Sequence, residues 1–120
     1  MEEVAGTILV GDSFDPVSGR VVVEDGRIAA VEEAATGSTD IVVPAFVNAH
    51  THLGDSVAKE AGVGLSLDDA VAPPNSLKHR RLAAADMEES VAAMRRTLRF
   101  MGRTGTTRCL DFRESGPAGA

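Results

Sequence analysis

The chain has 120 residues, a formal net charge of −6 and one cysteine; 43% of its residues are hydrophobic and 25% charged. That length supplies at most one small core. The acidic balance excludes a surface built to neutralise nucleic-acid phosphates, the lone Cys109 excludes an internal disulfide, and no apolar run approaches the ~20 residues of a membrane span. The start, Met1-Glu2-Glu3, lacks the basic and apolar segments of a signal peptide, so a soluble cytoplasmic protein is expected. Four Phe with no Trp or Tyr is a small aromatic complement. Aromatic side chains contribute much of the buried area of most cores, so the shortage points to a chain that belongs to a larger body. Ten Arg and two Lys stand against eighteen acids, and the densest basic run is the short Lys78-His79-Arg80-Arg81.

Residues 4 to 43 carry strand signals. Thr7-Ile8-Leu9-Val10 is apolar and β-branched and runs into Gly11-Asp12, a turn pair. Asp15-Pro16 and Ser18-Gly19 mark a second turn. The stretch from Arg20 to Val31 predicts a hairpin, with Asp25-Gly26 supplying the positive φ angles of a two-residue type I′ turn. Polar residues from Glu32 to Asp40 form a loop, and Ile41-Val42-Val43 begins another strand. Pro44 divides the chain. Phe46 to His52 lacks turn residues and predicts a strand buried on both sides. Ser66-Leu67-Asp68-Asp69 suits the start of a short helix that Ala72-Pro73-Pro74-Asn75 must interrupt. Met87 to Met101 is the clearest helix. Asp86 is its N-cap, Glu89 completes a capping box, and Met87, Val91, Met94, Leu98 and Met101 recur at helical spacing. Gly102 or Gly105 ends it, and Thr106 to Phe112 is again a strand. The order strand, helix, strand after Pro44 is the unit of an α/β protein with parallel strands.

His50-Thr51-His52 is the segment with chemistry in it. Side chains two apart on a strand point to one face, so both imidazoles project together and their nitrogens can converge on a cation at about 2.0–2.1 Å. Alone, such a pair is a weak signal that packing explains as well as metal binding. Its surroundings add to it. The stretch from Val43 to Leu53, Val-Pro-Ala-Phe-Val-Asn-Ala-His-Thr-His-Leu, resembles the opening barrel strand of the amidohydrolase superfamily, in which Pro-Gly-Phe-Val-Asn-x-His-x-His-Leu leads from a small β-domain into a barrel. Upstream, Asp25-Gly26-Arg27-Ile28-Ala29-Ala30-Val31 is similar to a second motif of that family. Ala45 departs from the usual Gly, which a negative φ permits.

The resemblance implies an α/β fold in which residues 1–43 give strands of a small composite β-sandwich. Residues 44–120 would then give the first β-α-β portion of an incomplete (β/α)8 TIM-like barrel, since a complete barrel takes roughly 250 residues. It implies that His50 and His52 are ligands of a divalent metal, zinc being the common choice, with one ion or two. It also implies a small-molecule substrate whose C–N bond is hydrolysed by metal-activated water, and a homo-oligomer at full length. The further ligands and the general-base Asp are expected on later strands, so no catalytic residue is assigned here and the segment alone is expected to be inactive. Arg113 and Glu114, at the end of the second barrel strand, are candidates for substrate binding, with a rim ion pair as the alternative for Arg113. Asp111 shares that strand end. Asp55 suits a loop-capping role better than orienting a ligand histidine. Asn48 is expected to brace the barrel floor, His79 to be an exposed helix residue, and Cys109 to be a strand residue rather than a nucleophile. Two other readings stay open: a non-catalytic metal-binding module, and a subunit whose barrel a second chain completes.

Overall fold

The computed structural model describes residues 1–113 and divides the chain after Pro44 into two compact units. The first is a four-stranded sheet in the order β3-β2-β1-β4, built from β1 (Glu2–Val10), β2 (Asp15–Glu24), β3 (Arg27–Glu33) and β4 (Ile41–Val42). β1 and β2 pair antiparallel along their lengths, from Glu2 opposite Val23 to Val10 opposite Asp15. Asp25 and Gly26 have φ of 50° and 73°, as the type I′ turn requires, and join β2 to β3. β4 returns parallel to β1, where the Thr7 N–H donates to Asp40 O at 2.8 Å.

The turn expected at Gly11-Asp12 is made by Gly11 to Phe14, with φ of 69° at Gly11 and 55° at Phe14, while the second turn expected across 15–19 is absent, because Asp15 already begins β2. Pro16 is tolerated because β3 pairs with β2 only from Gly19 onward, which leaves Pro16 on an edge. Gly19 is not a turn residue but a site of close approach. A Cβ there would sit 2.0 Å from Glu32 O, and one on its cross-strand partner Gly6 would sit 2.4 Å from Asp40 O. This glycine pair separates the row of Val4 and Val21 from the row of Ile8 and Val17 on one face. Ile8 and Val21 are buried there. The opposite face is polar at its middle: Arg20 reaches Glu32 at 2.6 Å and the diagonal Glu3 at 3.3 Å. The two carboxylates hold the Arg20 pKa above its ordinary value, Glu32 through its hydrogen bond most of all.

In the second unit, β5 (Phe46–Thr51) and β6 (Thr106–Asp111) pair parallel, with a 3-10 helix (Leu53–Ala58) and helices α1 (Leu67–Val71), α2 (Leu77–Ala84) and α3 (Met87–Arg103) between them in sequence. Ser66 caps α1 by accepting from the Asp69 N–H, and α1 stops at Val71 before the Pro73-Pro74 pair. Asp86 caps α3 by accepting from the Glu89 N–H at 2.8 Å, while the Glu89 carboxylate lies 3.5 Å from Arg81. Gly105, not Gly102, terminates α3, with φ of 88° in the left-handed region.

Two expectations are corrected here. In α3 Ala93 is the buried residue, Ser90, Val91, Met94, Thr97 and Met101 are half-buried, and Met87 and Leu98, expected on the apolar face, are exposed. Small side chains let the 3-10 helix approach, Ala93 is 1% exposed, and Thr97 Oγ1 lies 2.9 Å from Ser56 Oγ. Leu53 and Val57 of the 3-10 helix are the other buried apolar residues of this unit. Nor is β5 buried on both sides: Phe46 and Val47 are 58% and 64% exposed. Among the described residues β5 has one partner strand, β6.

Candidate functional site

His50 projects from the last turn of pleat in β5, and His52 lies immediately past the strand, ahead of the 3-10 helix. Their Nε2 atoms are 3.0 Å apart, with ring centroids at 5.1 Å and planes tilted by 46°. The expected convergence of the two rings is therefore present. At that distance one ring N–H can donate to the other ring's nitrogen, the tautomers setting which. Two nitrogens at this spacing, each about 2.0–2.1 Å from a shared ion, subtend an angle of about 90–100°, close to what tetrahedral or octahedral coordination needs. Both side chains are exposed and reachable from solvent. The pair fits part of a donor set rather than a whole one. Among the described residues no group of three or more His, Cys, Asp or Glu is placed to hold a metal ion.

The rings have an aromatic wall. Phe112 stacks on His50 at a centroid distance of 4.5 Å and an interplanar angle of 30°, and its ring is 5.9 Å from that of His52. Its N–H donates to Thr51 O at 2.8 Å, which extends the β5–β6 pairing by one bond past the end of β6. Asn48 Oδ1 accepts from the His50 N–H at 3.2 Å, a local bond on the same strand.

Thr51 and Asp111 join the two strand ends. Asp111 Oδ1 accepts from Thr51 Oγ1 at 3.0 Å and from the Leu53 N–H at 2.7 Å. Asp111 Oδ2 lies 2.8 Å from Arg113 Nε, so Arg113 forms the rim ion pair, and its Nη1 contacts Met94 Sδ at 3.0 Å. Glu114 lies outside the described residues. Neither Thr51 nor Phe112 was singled out from the sequence. The available signals were that Thr51 sits between the two histidines and that Phe112 follows an acidic strand end.

The remaining candidates have structural partners. Asp55 pairs with Lys78 at 2.9 Å, tying the 3-10 helix to α2. His79 is half-buried rather than exposed, with Nδ1 2.7 Å from Ser76 Oγ at the start of α2. The basic run of α2 is spent the same way: Arg80 donates to Asn75 O, and Arg81 donates to Val57 O at 3.2 Å. Cys109 is a half-buried residue of β6. Among the described residues no helix is long and apolar enough to cross a membrane.

A parallel strand-helix-strand unit with two imidazoles converging at the C-terminal end of its first strand defines a mixed α/β chain. Residues 41–119 match the sequence profile of the amidohydrolase family, and the chain belongs to that family. It is 43% identical over 121 residues to a protein of Methanothermobacter thermautotrophicus named "Putative aminohydrolase", covering 95% of this chain and 32% of that one. A second protein of that name, from Archaeoglobus fulgidus, is 39% identical over 99% of this chain and 34% of its own length. An uncharacterized protein of Methanocaldococcus jannaschii is 34% identical over 92% of this chain and 30% of its own. The chain thus spans about a third of the length of the curated relatives it matches. No solved structure gives a significant match.

Proposed function

We propose that this segment belongs to a metal-dependent hydrolase acting on a carbon–nitrogen bond of a small molecule, with His50 and His52 as two ligands of a divalent cation, zinc by preference. The observation that carries the reading is the 3.0 Å approach of the two Nε2 atoms at a solvent-reachable strand end. Membership of the amidohydrolase family supports the hydrolytic class, and the two relatives named as aminohydrolases support attack on an amino-bearing or amide carbon. In this reading residues 1–43 contribute to a composite β-sandwich, and β5, α3 and β6 are the first portion of a (β/α)8 barrel whose further strands complete the donor set.

The cation, when bound, supplies Lewis acidity and lowers the pKa of water to near ~7. The residues of this chain hold and orient. His50 and His52 present neutral imidazole nitrogens from one strand end. Asn48 takes up the His50 N–H and fixes the backbone that leads into His50. Phe112 covers one face of the His50 ring and keeps water off that side. No described residue is assigned to proton transfer.

The test is metal removal and return in the full-length protein, assayed against a panel of cyclic amides, aminated heterocyclic rings and chlorinated rings. Stripping with a strong chelator is expected to abolish turnover of one of these classes, and zinc is expected to restore it. Turnover that survives complete stripping would overturn the proposal.

A further inference from the structure

We infer that Asp111 is a positioning residue for the histidine pair, and this rests on the metal reading above. Regular pairing lapses around His50 and resumes at Thr51, whose O accepts from the Phe112 N–H at 2.8 Å. The β5–β6 register runs Asn48 opposite Cys109 and then Thr51 opposite Asp111, with an irregularity between Asn48 and Thr51. His50 lies inside that irregularity, and its N–H goes to the Asn48 side chain. Past the irregularity, one carboxylate oxygen adds to that single backbone bond. Asp111 Oδ1 accepts from Thr51 Oγ1 and from the Leu53 N–H. Those donors, the side chain of the residue before His52 and the backbone N–H of the residue after it, tie the chain to one acceptor on both sides of that ring.

The carboxylate is itself constrained. Its side chain is 16% exposed, and its second oxygen is buried facing Arg113 Nε at 2.8 Å. That contact is one of opposite charges, because the N–H is not aimed at the oxygen and Oδ2 has no hydrogen bond. The two hydrogen bonds through Oδ1 are therefore what orient Asp111, and Arg113 compensates its charge. Thr51 Oγ1 also lies 3.1 Å from Leu110 O, which keeps the hydroxyl between the strands. Positioning by Asp111 acts through acceptor geometry, so an amide oxygen is sufficient and a negative charge is not required.

The experiment measures zinc affinity by competition with a chromophoric chelator, and the visible spectrum of the cobalt-substituted form, in the full-length protein. Asp111→Ala is expected to weaken zinc binding about 10–100-fold, the usual cost of losing a group that orients a ligand, and to alter the cobalt spectrum. Asp111→Asn is expected to restore most of the affinity and the native spectrum. Thr51→Val, which removes one of the two donors without changing shape, is expected to lie between them and carries the test if Asp111→Ala does not fold. Native affinity and spectrum in Thr51→Val and Asp111→Ala would overturn the inference, as would an Asp111→Asn protein as impaired as Asp111→Ala. His50→Ala and His52→Ala separate this from the reading beneath it. Zinc bound as in the native protein after those substitutions removes the metal assignment itself, whereas zinc lost there and kept in the Asp111 and Thr51 variants removes only the role of Asp111.

Discussion

The sheet of residues 1–44 and the strand pair that carries the histidines are both small, yet they are fixed in different ways. In the first, β1 and β2 pair in unbroken register over nine residues, and the connection to β3 is a turn whose φ angles come from Asp25-Gly26 itself. Backbone hydrogen bonds and the close approach of Gly6 to Asp40 O and of Gly19 to Glu32 O do most of the work. In the second, the pairing lapses where the chemistry lies, and side chains take over: Asn48 at the His50 N–H, Asp111 around His52, Phe112 against the rings. A ladder sets every strand residue on a fixed pleat. A strand end released from it takes its geometry from particular side chains and can be shaped for ligands, at the cost of depending on them.

This contrast can be broken from the ladder side first. Ile8→Ala removes one of the few buried side chains of the sheet, and a loss of about 2–4 kcal/mol is expected in urea unfolding of the full-length protein. Gly19→Ala forces a Cβ against Glu32 O, so a loss of about 1–3 kcal/mol is expected, with faster amide exchange confined to β2 and β3. Neither substitution should change zinc affinity in the protein that remains folded. A matching loss of zinc affinity would show that the two regions are not fixed independently. Asp86→Ala, which removes the α3 cap, should cost about 1 kcal/mol and again leave the metal site unchanged.

The smallest effect is expected at Arg20, whose pairs with Glu3 and Glu32 are exposed and screened by salt. Arg20→Gln should shift the urea midpoint less than any of the substitutions above, and raising the salt should erase that difference. A guanidinium held above its ordinary pKa contributes fully below that value and loses its contribution only as the pH climbs past it. The Arg20 charge is therefore constant through the neutral range.

The same contrast explains what the sequence disclosed. Short-range signals were legible. Asp25-Gly26 names its own turn, Asp86 its own cap, and the i, i+2 spacing of His50 and His52 brings two rings to one place before any fold is known. Gly19 misled because a glycine that ends a strand and a glycine that lets two backbones approach are the same letter; only Glu32 O, thirteen residues on, distinguishes them. The face of α3 was misjudged at Met87 and Leu98, which are exposed, and at Ala93 and Thr97, whose small side chains admit the 3-10 helix but do not stand out beside large apolar residues. Asp111 drew notice only as a strand-end acid. Its hold on Leu53 spans 58 residues and depends on a register irregularity that no local pattern announces. The stacking of Phe112 on His50 is hidden for the same reason.

The central claim is that His50 and His52 share a metal ion. Its most direct test is the metal content of the full-length protein, purified with zinc available, beside the double variant His50→Ala/His52→Ala. The account predicts on the order of one or two zinc equivalents in the native protein and their loss from a double variant that keeps the native circular dichroism. A folded double variant that retains the native zinc complement would contradict it.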